Sequence, residues 1–319
     1  MYKIPTILNP DEIIDKAFKR ANKVQVVVKG RSQKHKKIAV AKVRKASNTI
    51  STTLNRYVKS FPSFDTLPRF YYDLFDVSLG IDAMKKSLGA VSWCGKTIQK
   101  IADEAVSNMH RLEGKKDVRN QVAGAYGRFS SVLNQISNDL AFLEKARRYL
   151  VRAPVIDVKK PTIVIAGAPN VGKSLIVKRI SSAKPKIASY PFTTKGVSVG
   201  HFDFDGITYQ VIDTPGLLDR EMEKRNTMEL KAILTLNHLA NLIVFVIDPT
   251  EYCGYAMDSQ LRILTDIKSR FEDIPIIEVE NKADIMRSET SRIKISALNK
   301  EGIEELREIL MQRLKERDT

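Results

Sequence analysis

Cysteine is scarce: Cys94 and Cys253 stand one in each half of 319 residues, without the spacing of a disulfide framework or a zinc site. No apolar run reaches the roughly 20 residues of a membrane span, and the opening MYKIPTILNPDE lacks the charged-then-apolar pattern of a secretory signal. No membrane partner is expected, and a reducing, cytoplasmic setting is. Acidic residues are missing where their absence matters. Between Lys16 and Lys45 there are twelve basic residues and no acidic one. Residues 1–158 carry 29 Lys and Arg against 14 Asp and Glu, whereas 159–319 carry 24 against 23, so almost all of the net +16 belongs to the first half. A charge run can be a solvated face. An entire domain so imbalanced favours a polyanion, because phosphate contacts release counterions whatever the sequence. Nucleic acid is the leading partner class, with Lys29, Arg31, Lys34, Lys36, Lys37, Lys42, Arg44 and Lys45 as candidate RNA-binding residues.

The length suits two domains. DEIIDKAFKRAN follows Pro10 with apolar residues at helical spacing, and KKIAVAKVRKASNTISTTLNRYVKSF continues with Ile38, Val43, Ile50, Leu54 and Val58 as candidate buried positions. Two long amphipathic stretches follow, from Asp73 to Leu112 and from Arg119 to Pro154. They predict a basic, all-α helical bundle over 1–153. Phe70, Tyr71, Tyr72 and Trp93 could stack on bases, but aromatics at helical spacing read first as core. Residues 154–161, with Pro154 and Pro161 at the ends, read as a linker.

At Thr162 the period changes. TIVIAG, VSVGHFDFDG, ITYQVIDTPG, NLIVFVIDP, IPIIEVENKAD and IKISAL are strand-like, with a hairpin at Asp205–Gly206 and helices between later strands. The prediction for 162–319 is an α/β domain with a mostly parallel sheet.

GAPNVGKS lies between the first of these strands and a helix. Gly167, Ala168, Pro169, Asn170, Val171, Gly172, Lys173 and Ser174 match the phosphate loop, whose N–H groups wrap phosphates at a helix N-terminus. Lys173 would reach the β- and γ-phosphates and Ser174 would ligate Mg²⁺. Asp213-Thr214-Pro215-Gly216 ends a strand, placing Asp213 to hold Mg²⁺ and the Gly216 N–H to meet the γ-phosphate. Thr193 and Thr194 in SYPFTTKG supply a switch threonine, with Thr194 toward Mg²⁺. Asn281-Lys282-Ala283-Asp284 follows another strand, and an Asp carboxylate there accepts from guanine N1–H and N2–H₂, donors that adenine does not pair in this way, so GTP and GDP are the expected nucleotides. Ser296-Ala297-Leu298 matches the loop that touches guanine O6. Five motifs in order predict a P-loop, Ras-like GTPase domain over 162–319.

With these motifs, the chain resembles the translation-factor-related class of GTPases, and YPFTTKG resembles its Obg–HflX branch. SYPFTTKGVSVGHF, RNTMELKAILTLNHLA, VIDPTEYCGY and LPRFYYDLFD are similar to the nucleolar GTP-binding protein family. The resemblance implies a role in large ribosomal subunit assembly, with the subunit precursor, its rRNA and ribosomal proteins as partners, and a nucleolar location in a eukaryote. Eukaryotic members run on beyond their GTPase domain, so ending at Thr319 implies a short, archaeal-type version. Nothing demands self-association, and a monomer is expected.

The residue after Gly216, where Ras-like enzymes use glutamine to orient water, is Leu217. Slow intrinsic hydrolysis is expected, assisted by a partner, with Asp219 or Glu221 as an alternative source of a polar group. Asn170 either ligates a potassium ion beside the phosphates, as the resemblance to related GTPases implies, or simply suits the loop turn.

Overall fold

The computed structural model describes residues 2–26, 33–188, 190, 196–221, 223, 225 and 227–316, which form ten α-helices and one seven-stranded sheet. They fall into two compact units, Met1–Thr66 with Leu79–Val151, and Leu67–Ser78 with Arg152–Thr319.

The first unit is all helical, as its period predicts. Helix α1 (Pro10–Asn22) starts with a capping box: Asn9 Oδ1 accepts from the Glu12 N–H at 2.9 Å, and the Glu12 carboxylate accepts from the Asn9 N–H at 2.9 Å. Such a cap contributes about 1 kcal/mol. Helix α2 (Lys34–Ser60) buries Val43, Ala46, Ile50, Leu54 and Tyr57 on one stripe. Val58 is only partly covered because that stripe advances to Tyr57, and Ile38, a turn before Val43, is likewise half-buried.

The run from Asp73 to Leu112 is not continuous. It breaks at Gly80, whose φ of 79° is in the left-handed region that favours glycine, leaving α3 (Arg69–Leu79) and α4 (Ile81–Arg111). Trp93 in α4 is 48% exposed. It sits about 100° around the helix from Cys94, which lies with Met84, Val91 and Ile98 on the buried stripe. Helices α5 (Lys115–Gln135) and α6 (Ser137–Arg152) complete the bundle.

In the second unit, β1 (Thr162–Ala166) leads through the phosphate loop to α7 (Lys173–Ile180). Then come β2 (Lys186–Ala188), β3 (Val197–Phe204), β4 (Ile207–Asp213), α8 (Thr227–Leu234), β5 (Leu242–Ile247), α9 (Met257–Arg270), β6 (Ile276–Glu280), β7 (Ile293–Lys294) and α10 (Ile303–Lys315). The sheet order is β2-β3-β4-β1-β5-β6-β7, antiparallel among β2, β3 and β4 and parallel elsewhere. The mostly parallel sheet with a hairpin is thus present, with Asp205 and Gly206 at positive φ as a tight hairpin turn requires. Both β1 and β5 are buried along their length, which suits central strands covered on both faces.

Helix α3 packs in this second unit, although its sequence lies inside 1–153. The Tyr71 hydroxyl lies 2.8 Å from both N and O of Ile156, accepting from one and donating to the other. The Phe70 and Tyr190 rings are 6.5 Å apart, and His238 Nε2 is 3.2 Å from an Asp73 oxygen. Of the aromatics expected to form core, Phe70 does so, being fully buried; Tyr71 and Tyr72 are half-buried, Tyr71 pinning residues 154–156, and Trp93 is exposed. Gln210 then holds Asp157, accepting from its N–H at 3.0 Å and donating to its carbonyl at 2.8 Å.

Candidate nucleotide-binding site

The phosphate loop lies at the C-terminal end of β1, where parallel α/β sheets place ligands. Gly167 has φ 133° and Gly172 φ 105°, and Asn170 is left-handed at 62°. A Cβ on Gly167 would meet the Val246 carbonyl and one on Gly172 the Asn281 side chain, so both glycines are required by space as well as by conformation. Asn is one of the few other residues that adopts φ above zero readily, and the turn therefore accounts for Asn170.

Lys173, at the start of α7, is buried, and its Nζ donates to the Gly167 and Ala168 carbonyls at 2.7 Å each. Burial pulls its ammonium below the ordinary value, while the charges of Asp213 and Asp219 work the other way. Ser174 Oγ is hydrogen-bonded to Asp213 Oδ2, and Asp213 Oδ1 is buried without a partner. Burial pushes the Asp213 carboxyl up, against the pull of Ser174 and Lys173. An orphaned buried carboxylate oxygen beside a serine hydroxyl is a hard oxygen donor set, which fits Mg²⁺.

Thr214 Oγ1 donates to the Ile165 carbonyl at 3.2 Å, and the Gly167 N–H donates to the Leu218 carbonyl at 3.0 Å, so the DTPG turn is registered on the phosphate loop. Leu217 and Leu218 are both completely buried, and Leu217 is turned into the core. Of the alternative polar groups, Glu221 is 3.2 Å from Arg262 Nε, and Asp219 accepts from the Gly216 N–H at 2.7 Å. Pro215, Gly216, Asp213, Lys173 and Ser174 line one cleft of about 600 Å³ with Pro169 and Asn170. Thr193 and Thr194 lie outside the described residues.

Asn281 locks the base loops to the phosphate loop. Its Nδ2 donates to the Val171 carbonyl at 2.8 Å and its Oδ1 accepts from the Ala297 N–H at 3.0 Å. Lys282, left-handed at φ 66°, donates to Asp248 at 2.6 Å. Asp284 and Leu298 are exposed, whereas Ser296 and Ala297 are buried in the loop between β7 and α10.

Two supporting residues escape sequence reasoning. Asp248, at the end of β5, is fully buried and takes hydrogen bonds from Lys282, from Thr250 N and Oγ1, and from the Cys253 N–H. Burial alone would raise its carboxyl, but the bonds from Lys282 and Thr250 outweigh it and hold it below the ordinary value. Arg179 braces the other base loop, donating to the Ala297 carbonyl at 2.9 Å and the Leu298 carbonyl at 3.1 Å. Asp248 could have been suspected from the Asp that closes VFVID; Arg179 leaves no local signal.

On the first unit, Lys34, Lys37, Arg44 and Lys45 are exposed and Lys36 and Lys42 partly so, while Lys29 and Arg31 lie outside the described residues. Lys34 and Lys42 share a groove with Lys115 and Arg119 of α5, over an apolar floor of Ile38, Val118 and Val122.

The strand order, with phosphate and base loops locked together by Asn281, places the second unit in the class of P-loop GTPase domains. Residues 162–282 match the family model of the 50S ribosome-binding GTPase, and residues 1–157 match that of the NOG1 N-terminal helical domain. The chain is 39% identical over 291 residues to an uncharacterized protein of Methanocaldococcus jannaschii, covering 90% of this chain and 81% of that one. It is 33% identical over 313 residues to nucleolar GTP-binding protein 1 of Arabidopsis thaliana, covering 97% of this chain and 46% of the relative. With the Drosophila melanogaster protein of that name it shares 34% over 248 residues, 78% of this chain and 38% of the relative. A solved structure of a nucleolar GTP-binding protein 1 from Plasmodium falciparum, 34% identical, covers 52% of this chain and 91% of its own with a TM-score of 0.47. The chain belongs to the nucleolar GTP-binding protein 1 family. It spans less than half the length of the Arabidopsis and Drosophila relatives.

Proposed function

We propose that this protein is a GTP-binding and GTP-hydrolysing switch in large ribosomal subunit assembly, of the Obg–HflX branch, and that its basic helical unit docks on rRNA or preribosomal particles. The observation that carries this reading is the Asn281 lock, which ties the phosphate loop to the loop of Ala297 in a chain whose other unit holds the positive charge. The names of the relatives and of the matched GTPase model point to the same cellular process.

In this reading the loop from Gly167 to Ser174 wraps the phosphates, Lys173 leaves its own loop carbonyls to neutralise the β- and γ-phosphates, and Asp284 accepts from guanine. Ser174 and Asp213, with Thr194, would hold Mg²⁺, which when bound neutralises charge developing on the transferred phosphoryl group. Intrinsic hydrolysis is slow because Leu217 is buried and offers no polar atom to a water. A docked ribosomal particle supplies what is lacking, setting Thr194 and the segment after Gly216 against the γ-phosphate. Helix α3 supports such coupling: it contacts Tyr190 and His238, on either side of the switch segments in sequence, and both its ends continue directly into the helical unit. The groove formed by Lys34, Lys42, Lys115 and Arg119 is the candidate RNA-facing surface.

Co-sedimentation with large ribosomal subunits and their precursors, with the protein loaded with GDP or a non-hydrolysable GTP analogue, tests the reading. Nucleotide-dependent binding to a precursor is expected. If neither form sediments at low salt, the ribosomal role is wrong and the bundle serves a protein partner instead.

A further inference from the structure

The segment after Gly216 contains a carboxylate that the GTPase motifs do not require. Asp219 Oδ2 accepts the Gly216 N–H at 2.7 Å, and this is the single backbone donor that the DTPG motif offers to a γ-phosphate. The same carboxylate lines the cleft with Lys173, Ser174 and Gly216. It is anchored from behind: Arg225, with its side chain 1% exposed, donates from Nη1 to the Gly216 carbonyl at 2.9 Å and from Nη2 to Asp219 Oδ1 at 3.3 Å. Arg225 thus holds the carbonyl of the same residue, in the next peptide, and the carboxylate that occupies the donor. The turn is also fixed from the other side, by the Gly167 N–H on the Leu218 carbonyl. Gly216 sits at φ 82°, and a Cβ there would meet open space; its glycine is explained by conformation, not by crowding.

We infer that Asp219 is a specificity-determining residue that takes the γ-phosphate's place on the Gly216 N–H, so that guanosine triphosphate must displace it and guanosine diphosphate need not. The inference rests on the nucleotide site proposed above. One N–H cannot give a full hydrogen bond both to a carboxylate at 2.7 Å and to a phosphate oxygen, and the two anions repel at such range. A diphosphate presents no group to that donor. The Asp219 bond therefore weakens triphosphate binding selectively, and any event that draws Asp219 away favours the triphosphate form by linkage.

The test is calorimetric titration of the full chain with GDP and with the β,γ-imido analogue of GTP, in wild type, Asp219→Ala and Asp219→Asn. The expected result is that analogue affinity relative to GDP affinity rises roughly tenfold in Asp219→Ala, the equivalent of losing one charge-assisted competitor for the donor. Asp219→Asn, which keeps the shape and an acceptor for Arg225, should fold as wild type and show part of the rise. A ratio unchanged within about twofold in folded Asp219→Asn and Asp219→Ala overturns the inference, as does an equal loss of both affinities, which is what a merely structural role would give. If Asp219→Ala does not fold, Asp219→Asn alone decides. Wild-type protein that binds neither nucleotide would sink the nucleotide site itself; wild type that binds both, with an unmoved ratio in the variants, sinks only the role of Asp219.

Discussion

Asn281 should behave as a structural lock and not as a base contact, and Asn281→Ala separates the two. The substitution removes the donor to Val171 O and the acceptor of Ala297 N–H, at 2.8 and 3.0 Å, in a residue 4% exposed. Water has little access there, so both backbone groups lose their partner. A buried group left unsatisfied costs about 1–3 kcal/mol, which for two gives about 2–6 kcal/mol, against the roughly 5–15 kcal/mol that holds a domain together. Urea unfolding followed by circular dichroism should show this as a lower midpoint for the GTPase unit. GDP affinity should fall as well, because Val171 and Ala297 belong to opposite ends of the site. Asp284→Ala is the matched control: the residue is exposed, so stability should stay within about 0.5 kcal/mol while guanine affinity collapses. If Asn281→Ala leaves the midpoint in place and abolishes only guanine preference, the lock is refuted and Asn281 reads the base.

Leu217→Gln restores the Ras-type glutamine in sequence, yet should destabilise the unit by about 1–3 kcal/mol without speeding single-turnover hydrolysis, because position 217 is fully buried. Glu144 in α6 accepts from Arg147, the Ile7 N–H and Arg148; the Arg147 bond, against burial, brings its carboxyl down to about 2 from 4.5. With its folded value depressed, its contribution is complete above pH 4.5 and is lost as pH falls toward about 2. Urea midpoints of Glu144→Gln should therefore lie below wild type at pH 7 and converge with it near the acid end. Turnover measured in potassium and in sodium chloride at equal ionic strength should match if the left-handed turn alone explains Asn170; faster turnover in potassium would restore the ion. Replacing Lys34, Lys42, Lys115 and Arg119 together with Gln should weaken RNA binding and flatten its salt dependence, with GDP affinity as the check that the nucleotide site is intact.

The parallel sheet and the helical unit were legible because their signals are local. Alternating or continuous apolar runs marked β3, β4, β5 and β6, and the helical spacing of Ile13, Ile14, Ala17 and Phe18 marked α1, which buries Ile13 and Ala17. The break at Gly80 was not legible. Apolar residues continue at helical spacing across it, and only the backbone's φ of 79° separates α3 from α4. Nor did periodicity reveal which unit α3 joins, since Phe70 and Leu74 form a buried stripe whichever core receives them. The three-residue β2 was too short to show a period at all.

The same distinction runs through the site. The phosphate loop, DTPG and NKAD could be read because each is a run of contiguous residues. The groups that hold those loops in place come from far along the chain: Asp248 lies 34 residues from Lys282, Arg179 118 residues from Ala297, and Val171 110 residues from its partner Asn281. None of these pairs produces a local pattern. Arg225 is the instructive case, because in sequence it is one more cation in a charged stretch, MEKRN, and reads as solvated. In the fold its guanidinium is buried, and burial lowers its hold on the proton while Asp219 restores part of it. A buried cation beside Gly216 must be matched by an anion, and in the described arrangement that anion is the Asp219 carboxylate seated on the Gly216 N–H. Withdrawing Asp219 toward a phosphate-bound state leaves Arg225 on the Gly216 and Arg220 carbonyls without its bonded carboxylate, which ties the state of the nucleotide to the packing of the segment that follows it.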